Sequence, residues 1–289
     1  MVDVAFLGHF ARDRLVWRGV AETASGGGVY YGSLALRRLG FAVAVITRLH
    51  PDDFGRLDEL RREGITVYAS PAGQTTGIEN IYPTEDMDRR SCRLLGLAGP
   101  FTPEEVPVVE ARVTIVTPLV AGEVGAEIVR MLVARGPVGL DVQGFVRVPE
   151  GDSLRTRDWP GKTRDLAGVR YVKADDVEAE VLTGETDMRE AARALAALGP
   201  REVVLTHGRG VLVYADGTFH EAPFTPRAIR GRTGRGDTCF ATYVASRLDL
   251  APDDACRLAA AVTSLKMEHP GPYRGTREDA ERFRAGLPG

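Results

Sequence analysis

Lysine is scarce in this chain: Lys162, Lys173 and Lys266 are the only three among 289 residues, and arginine supplies the rest of the basic charge. The net charge is −3, so there is no broad basic field for nucleic acid or another polyanion to follow. Cysteine is equally rare. Cys92, Cys239 and Cys256 are odd in number, far apart and outside any CxxC, which argues against a disulfide framework and a zinc site. The five histidines, His9, His50, His207, His220 and His269, show no helical pairing of the kind that ligates metals. No run of about 18 apolar residues occurs. The opening MVDVAFLGHFARDR carries an apolar stretch too short for a secretory signal, with no lysine or arginine ahead of it. A cytoplasmic protein with neither membrane nor nucleic-acid partner is the expectation.

What is present is an ordinary globular composition, 44% hydrophobic and 27% charged, at a length that α/β proteins commonly fold as one unit. VDVAFLG (2–8) reads as a strand, and SGGGVYYGSLALRRLG (25–40) as a glycine turn and a helix stopped by Gly40. FAVAVITRL (41–49), FGRLDELRREG (54–64) and ITVYAS (65–70) continue a β-α-β-α-β opening. The rhythm breaks at 73–99, which reads as two strands around a polar turn. It resumes with strands at 113–118, 138–144, 170–176 and 202–208, interleaved with helices over 123–135 and 187–198. Asp187 and Glu190 have capping-box spacing at the start of the second of these helices. Asp216-Gly217 marks a hairpin within 211–223, and two helices, about 236–248 and 252–267, close the fold before a polar tail. The pattern predicts a single α/β domain over 1–289 with a mostly parallel sheet flanked by helices on both faces. A small β lid is expected mainly from 73–99, with 10–24 as a second contributor.

The stretch GRTGRGDTCF (231–240) places three glycines within six residues, just before an apolar-periodic helix. Such a turn offers unpaired amides at the positive end of a helix, where a phosphate can be held. Asp237 falls in the first helical turn. There it reads either as a helix-stabilising carboxylate or as a base for a hydroxyl attacking a bound phosphoryl group. Arg235-Gly236-Asp237 also spells an adhesion tripeptide, but that use needs an exposed, flexible loop rather than the start of an apolar helix. A dinucleotide-binding oxidoreductase is a further rival, yet GGGVYYG is not GxGxxG and lies well downstream of the first strand.

Thr233-Gly234-Arg235-Gly236-Asp237-Thr238 resembles the C-terminal signature of the PfkB, or ribokinase-like, carbohydrate kinases. The resemblance runs along almost the whole chain. Gly8 with Asp13, and Gly26-Gly27 before the first helix, match the N-terminal substrate motifs. Lys173-Ala174-Asp175-Asp176-Val177-Glu178 falls on the family's Lys-Pro-Asn-x-x-Glu region, Thr206-x-Gly208-x-Gly210 on its nucleotide-binding strand end, and His269-Pro270-Gly271 on its closing turn.

This resemblance implies an ATP- and Mg²⁺-dependent kinase. Asp237 would be the general base, and the backbone of Gly234, Arg235, Gly236 and Asp237 the anion hole. Lys173, Thr206, Gly208 and Gly210 would lie along the nucleotide; Glu178 and Asp175 would organise hydrated Mg²⁺. Asp13, Gly26 and Gly27 would hold the acceptor, with Asp141, Gln143 and Arg147 as further cleft candidates at a strand end. The 73–99 excursion would be the lid, and since lids commonly pair in this family, a homodimer through the lid is allowed.

Departures from the pattern shape the substrate expectation. Tyr31 stands where the family usually has an asparagine that contacts the substrate, Asp175 where asparagine is usual, and Arg235 where a small residue is usual. Gly231 replaces an aspartate found in potassium-activated members, so a weak or absent monovalent-cation site is expected, with Arg232 or Arg235 as substitute charges. GGGVYYG, IENIY, LDVQGFVR and GRGDT resemble the branch that includes kinases of inositol-type polyols. The expected acceptor is a hydroxyl of a small sugar or cyclic polyol, with a myo-inositol-like one favoured; a nucleoside kinase and a non-catalytic sugar- or nucleotide-sensing relative are the alternatives.

Overall fold

The computed structural model describes residues 1–82 and 91–287. The polar turn expected inside the 73–99 excursion lies at 83–90, outside the described residues. β1 (Val2–Leu7) is buried along its last four residues, as a strand covered on both faces must be. The chain then leaves for a hairpin, β2 (Ala11–Trp17) and β3 (Val20–Gly26), turned at Arg18-Gly19, where φ is 50° and 79°. It returns through α1 (Gly28–Arg38) to β4 (Val43–Leu49), the short α2 (Asp58–Arg62) and β5 (Thr66–Pro71). A second excursion supplies β6 (Gly77–Tyr82) and β7 (Ser91–Gly96). The chain continues with β8 (Ala111–Val116), α3 (Ala126–Arg135), β9 (Val138–Asp141) and the one-turn α4 (Gln143–Val146).

A third excursion, β10 (Arg147–Glu150) and β11 (Ser153–Thr156), precedes α5 (Lys162–Asp165), β12 (Tyr171–Asp175), α6 (Asp176–Thr183) and α7 (Met188–Ala197). The antiparallel run β13 (Glu202–His207), β14 (Gly210–Ala215) and β15 (Thr218–Pro223) follows. The helices α8 (Arg235–Ser246), α9 (Pro252–Met267) and α10 (Arg277–Ala285) end the described chain.

The strands form two sheets. The larger has nine strands in the order β15-β14-β13-β12-β9-β8-β1-β4-β5, parallel from β13 to β5 with an antiparallel edge at β14 and β15. One apolar layer packs α1, α8 and α9 on one face; a second packs α3 and α7 on the other. The smaller sheet collects the three excursions in the order β10-β11-β7-β6-β2-β3. It meets the body through a small apolar cluster of Ala11, Ile78, Leu119 and Val120.

The chain runs outward from β1 to β5, then crosses back to β8 on the other side of β1, so the topological switch lies at the carboxyl ends of β1 and β8. Ligands of open α/β sheets bind at such a switch. The N-terminus of α1 is set tightly into it: a Cβ on Gly28 would fall 1.8 Å from Thr117 Oγ1.

Three local expectations are corrected. The strand expected over 138–144 is shorter: β9 stops at Asp141, Gln143–Val146 form α4, and the segment after it joins the smaller sheet. The tail is not plain polar coil, because Thr276 and Asp279 make a reciprocal capping box that starts α10. Two helices therefore do not end the fold. At α7, Asp187 caps the amides of Arg189 and Glu190, but the Glu190 carboxylate pairs with Arg193 instead of closing the box.

Candidate active site

The turn before α8 is built around Gly234, the residue that caps the helix with φ 81°. This left-handed conformation favours glycine, and the surroundings demand it as well. A Cβ at Gly234 would lie 2.2 Å from Cγ of Tyr31, whose buried ring is packed directly beneath the turn. Beyond the turn come Arg235, Gly236 and Asp237, whose amides belong to the first helical turn; that of Arg235 donates to the Arg232 carbonyl at 3.1 Å.

Lys173 reaches the same turn from β12. A Cβ on Gly236 would stand 3.4 Å from Lys173 Nζ and 3.8 Å from Thr206 Oγ1. The ammonium donates to Asp141 Oδ1 at 3.2 Å and to Glu178 Oε2 at 3.4 Å, all three side chains being buried. Burial alone would strip Lys173 of its proton; the carboxylates of Asp141 and Glu178, with Asp175 and Asp237, overcome that and hold it charged well above the usual lysine range. Burial pushes the Glu178 carboxyl up to about 7, against the pull of Lys173.

Glu178 is also half of a capping box. Its Oε2 accepts from the Asp175 amide and Asp175 Oδ1 accepts from the Glu178 amide, each at 2.8 Å. Helix capping and display of carboxylates at the cleft are thus achieved by one pair of side chains. Two carboxylates without a third ligand suit Mg²⁺, which keeps most of its water and shares phosphate oxygens. Among the described residues no cage of three or more metal-ligating side chains is formed.

A cleft of ≈ 790 Å³ lies over these groups, walled by Arg147, Arg155, Arg232 and Arg235 and floored by Asp175, Glu178 and Gly208. Ser91 and Cys92 of β7 border it from the smaller sheet. Arg147, placed by sequence among the acceptor candidates, is close enough to Glu178 to pull its pKa down. The backbone amide of Gln143 donates to Asp141 Oδ1 at 3.0 Å. Gly210 is apart from the cleft lining, paired with Pro223 in the β14–β15 hairpin, where a Cβ would strike the Ala222 carbonyl.

Asp13 is buried on β2 and its Oδ1 accepts from the Ile78 amide at 3.0 Å, while its other oxygen lies over Gly26, whose Cβ position is 2.3 Å away. Gly27 caps α1 with φ 88°. These three residues therefore stand together at the root of the β2–β3 hairpin.

Sequence reasoning missed Lys266. In the last turn of α9, its Nζ donates to the carbonyls of Gly231 at 2.6 Å and Thr233 at 2.5 Å, and lies 5.3 Å from the centre of the Tyr31 ring. The available signal was a lysine inside the apolar helical run LAAAVTSLKM.

The description "pfkB family carbohydrate kinase" matches residues 23–279. A pyrophosphate-dependent kinase in the ribokinase family, solved with a pyrophosphate analog and myo-inositol, is 38% identical with a TM-score of 0.89 over 96% of this chain and 99% of that one. A pyrophosphate-dependent myo-inositol-1 kinase, converted into a myo-inositol-3 kinase by two substitutions, is 37% identical with a TM-score of 0.89 over 98% of each chain. The cytidine kinase of Thermococcus kodakarensis is 27% identical over 271 residues, 89% of this chain and 92% of its own. With its ribokinase-like fold and the helix start built around Gly234 and Asp237, this chain belongs to the pfkB family of carbohydrate kinases and is a phosphotransferase with an alcohol acceptor.

Proposed function

We propose that the chain transfers a phosphoryl group to a hydroxyl of a myo-inositol-like cyclic polyol, and that its donor is inorganic pyrophosphate rather than the ATP expected from sequence. The observation that carries the donor reading is the make-up of the cleft. Arg147, Arg155, Arg232 and Arg235 line it, and among its described lining residues there is no aromatic side chain on which a purine would stack. Guanidinium groups match a compact polyanion in charge and geometry. Two of the similar kinases are themselves pyrophosphate-dependent.

In this reading Asp237 takes the proton of the attacking hydroxyl, and the amides of residues 234–237 hold the oxygens of the transferred group. Phosphoryl transfer needs this positioning and charge neutralisation more than covalent help. Lys173, fixed beside Gly236, adds a permanent positive charge, and Thr206 and Gly208 flank the donor. Glu178 and Asp175 would hold hydrated Mg²⁺, which supplies charge neutralisation on the donor phosphates. Asp13, Gly26 and Gly27 bind the acceptor, and the smaller sheet acts as a lid that keeps water from competing as acceptor.

The polyol reading has support within the smaller sheet. The two substitutions that change the hydroxyl used by the relative replace an asparagine and a serine eleven positions apart. This chain has Asn80 and Ser91 at that spacing, on the adjacent strands β6 and β7, with Asn80 held by the Cys92 thiol at 3.4 Å.

The test is product formation from pyrophosphate or ATP with myo-inositol, pentoses, hexoses and cytidine, run beside Asp237→Asn. The expected result is turnover with pyrophosphate and myo-inositol that falls by about a hundredfold or more in the variant. Turnover with ATP alone would overturn the donor assignment, and phosphorylation of cytidine alone would move the chain to the nucleoside kinases. Absence of any turnover would leave a ligand sensor.

A further inference from the structure

The reading above leaves Lys266 without a task, although the side chain is only 1% exposed. Burying an ammonium is expensive unless its hydrogens are matched, and here they converge on the carbonyls of Gly231 and Thr233. Those carbonyls belong to the strap that runs from β15 into Gly234. The strap's other edge is held by the same helix end, since the amides of Arg230 and Gly231 both donate to the Met267 carbonyl, at 2.8 and 3.1 Å. Tyr31 completes the mounting, its ring under Gly234 on one side and near Lys266 on the other.

Three properties separate this arrangement from simple packing. The methylene chain of lysine could be matched in volume by methionine, but methionine would remove the shared donor of two partly buried carbonyls, at up to about 1–3 kcal/mol each. Lys266 is not among the residues lining the arginine-walled cleft but borders a neighbouring one together with Tyr31, Gly231, Arg232 and Thr233, which places it behind the strap. Asp237 and Arg235, both in the first turn of α8, feel its charge.

We propose that Lys266 is a positioning residue: its ammonium acts as a built-in monovalent cation that fixes the Gly231 and Thr233 carbonyls and so presents the 234–237 amides to the phosphoryl group. This rests on the phosphoryl-transfer reading of the site. It replaces Arg232 and Arg235 as the candidate substitute charge, since both of those line the cleft. A carbonyl-lined space that holds an ammonium also suits free ammonium or potassium once the lysine side chain is cut away.

The experiment compares wild type, Lys266→Met and Lys266→Ser with pyrophosphate and myo-inositol at about pH 6, where the lysine is charged. Ionic strength is kept constant with tetramethylammonium, potassium or ammonium chloride. Wild type is expected to turn over equally in all three salts. In Lys266→Met, kcat is expected to drop about tenfold or more while the polyol KM stays within about threefold. Lys266→Ser is expected to be equally slow in tetramethylammonium and to recover about fivefold or more in ammonium. A Lys266→Met kcat within about twofold of wild type, or a folded Lys266→Ser that ignores ammonium, overturns the proposal.

Thermal unfolding of Lys266→Ser in the three salts gives a readout that needs no turnover. A melting temperature raised by ammonium over tetramethylammonium supports the cation cage, and an unchanged one refutes it. If wild type turns over no donor and acceptor pair, the kinase reading fails by itself, and the melting comparison still decides whether Lys266 fills a cation site.

Discussion

The Tyr31 ring lies so close beneath Gly234 that a single added methyl carbon would overlap it, at 2.2 Å from Cγ. Gly234 is therefore constrained twice, by its φ of 81° and by an aromatic floor. Gly234→Ala is expected to destabilise the protein by about 2–4 kcal/mol and to abolish turnover, because the helix start must move off the ring. Adding Tyr31→Ala should relieve the overlap but leave the backbone strain, recovering only part of the stability. Urea unfolding of the single and double variants checks this, and a Gly234→Ala protein as stable as wild type would show that the turn adapts freely.

Lys173 stands between two buried carboxylates, Asp141 and Glu178. Its removal leaves them facing each other with no buried counter-charge between them, Arg147 acting on Glu178 from the cleft wall. Lys173→Met is expected to lose about 3–5 kcal/mol in chemical denaturation, and Lys173→Met with Asp141→Asn to regain a large share. A loss below about 1 kcal/mol for the single variant would mean that the carboxylates take up protons or water easily.

Lys266 makes stability depend on pH in a defined direction. Burial pulls its ammonium down to about 7, with Asp237 opposing, from an unfolded value of 10.5. Between those values the unfolded chain carries a proton that the folded chain has lost. Stability therefore gains from this group as pH rises through the window, by at most about 1.4 kcal/mol per unit. Lys266→Met removes the contribution. Unfolding midpoints of both proteins at about pH 7.5 and 9.5 read the difference, which should shift in favour of wild type at the higher pH. A flat or reversed difference would mean that the folded chain keeps the proton.

The β-α alternation was legible because parallel strands buried on both faces leave continuous apolar runs, such as VAVITRL in β4. The helix start at Gly234 was legible from glycine spacing, and the Asp175 and Glu178 pair from its resemblance to the family's Lys-Pro-Asn-x-x-Glu region. β10 and β11 were not, because RVPEGDSLRT is largely polar and contains a proline, and its pairing comes from a sheet edge far away in sequence. α10 was hidden by a polar sequence whose helix signal rests on one threonine cap. Lys266 was hidden for a different reason. Its partners are backbone carbonyls more than thirty residues earlier, and backbone groups leave no trace in composition.

The smaller sheet is assembled from three excursions, 11–26, 77–96 and 147–156, and each is anchored to the body at both ends. Its roots are also tied to one another and to the body: the Arg12 amide to the Thr76 carbonyl at 2.8 Å, the Ala98 amide to Thr76 Oγ1 at 3.0 Å, and the Ala121 amide to the Arg147 carbonyl at 2.9 Å. A flap on one hinge can swing while its root stays still; a plate stitched along six seams can only shift as a whole. Lengthening any one seam would be transmitted to the other five, so this sheet tolerates changes of side chain far better than changes in the number of residues at its edges.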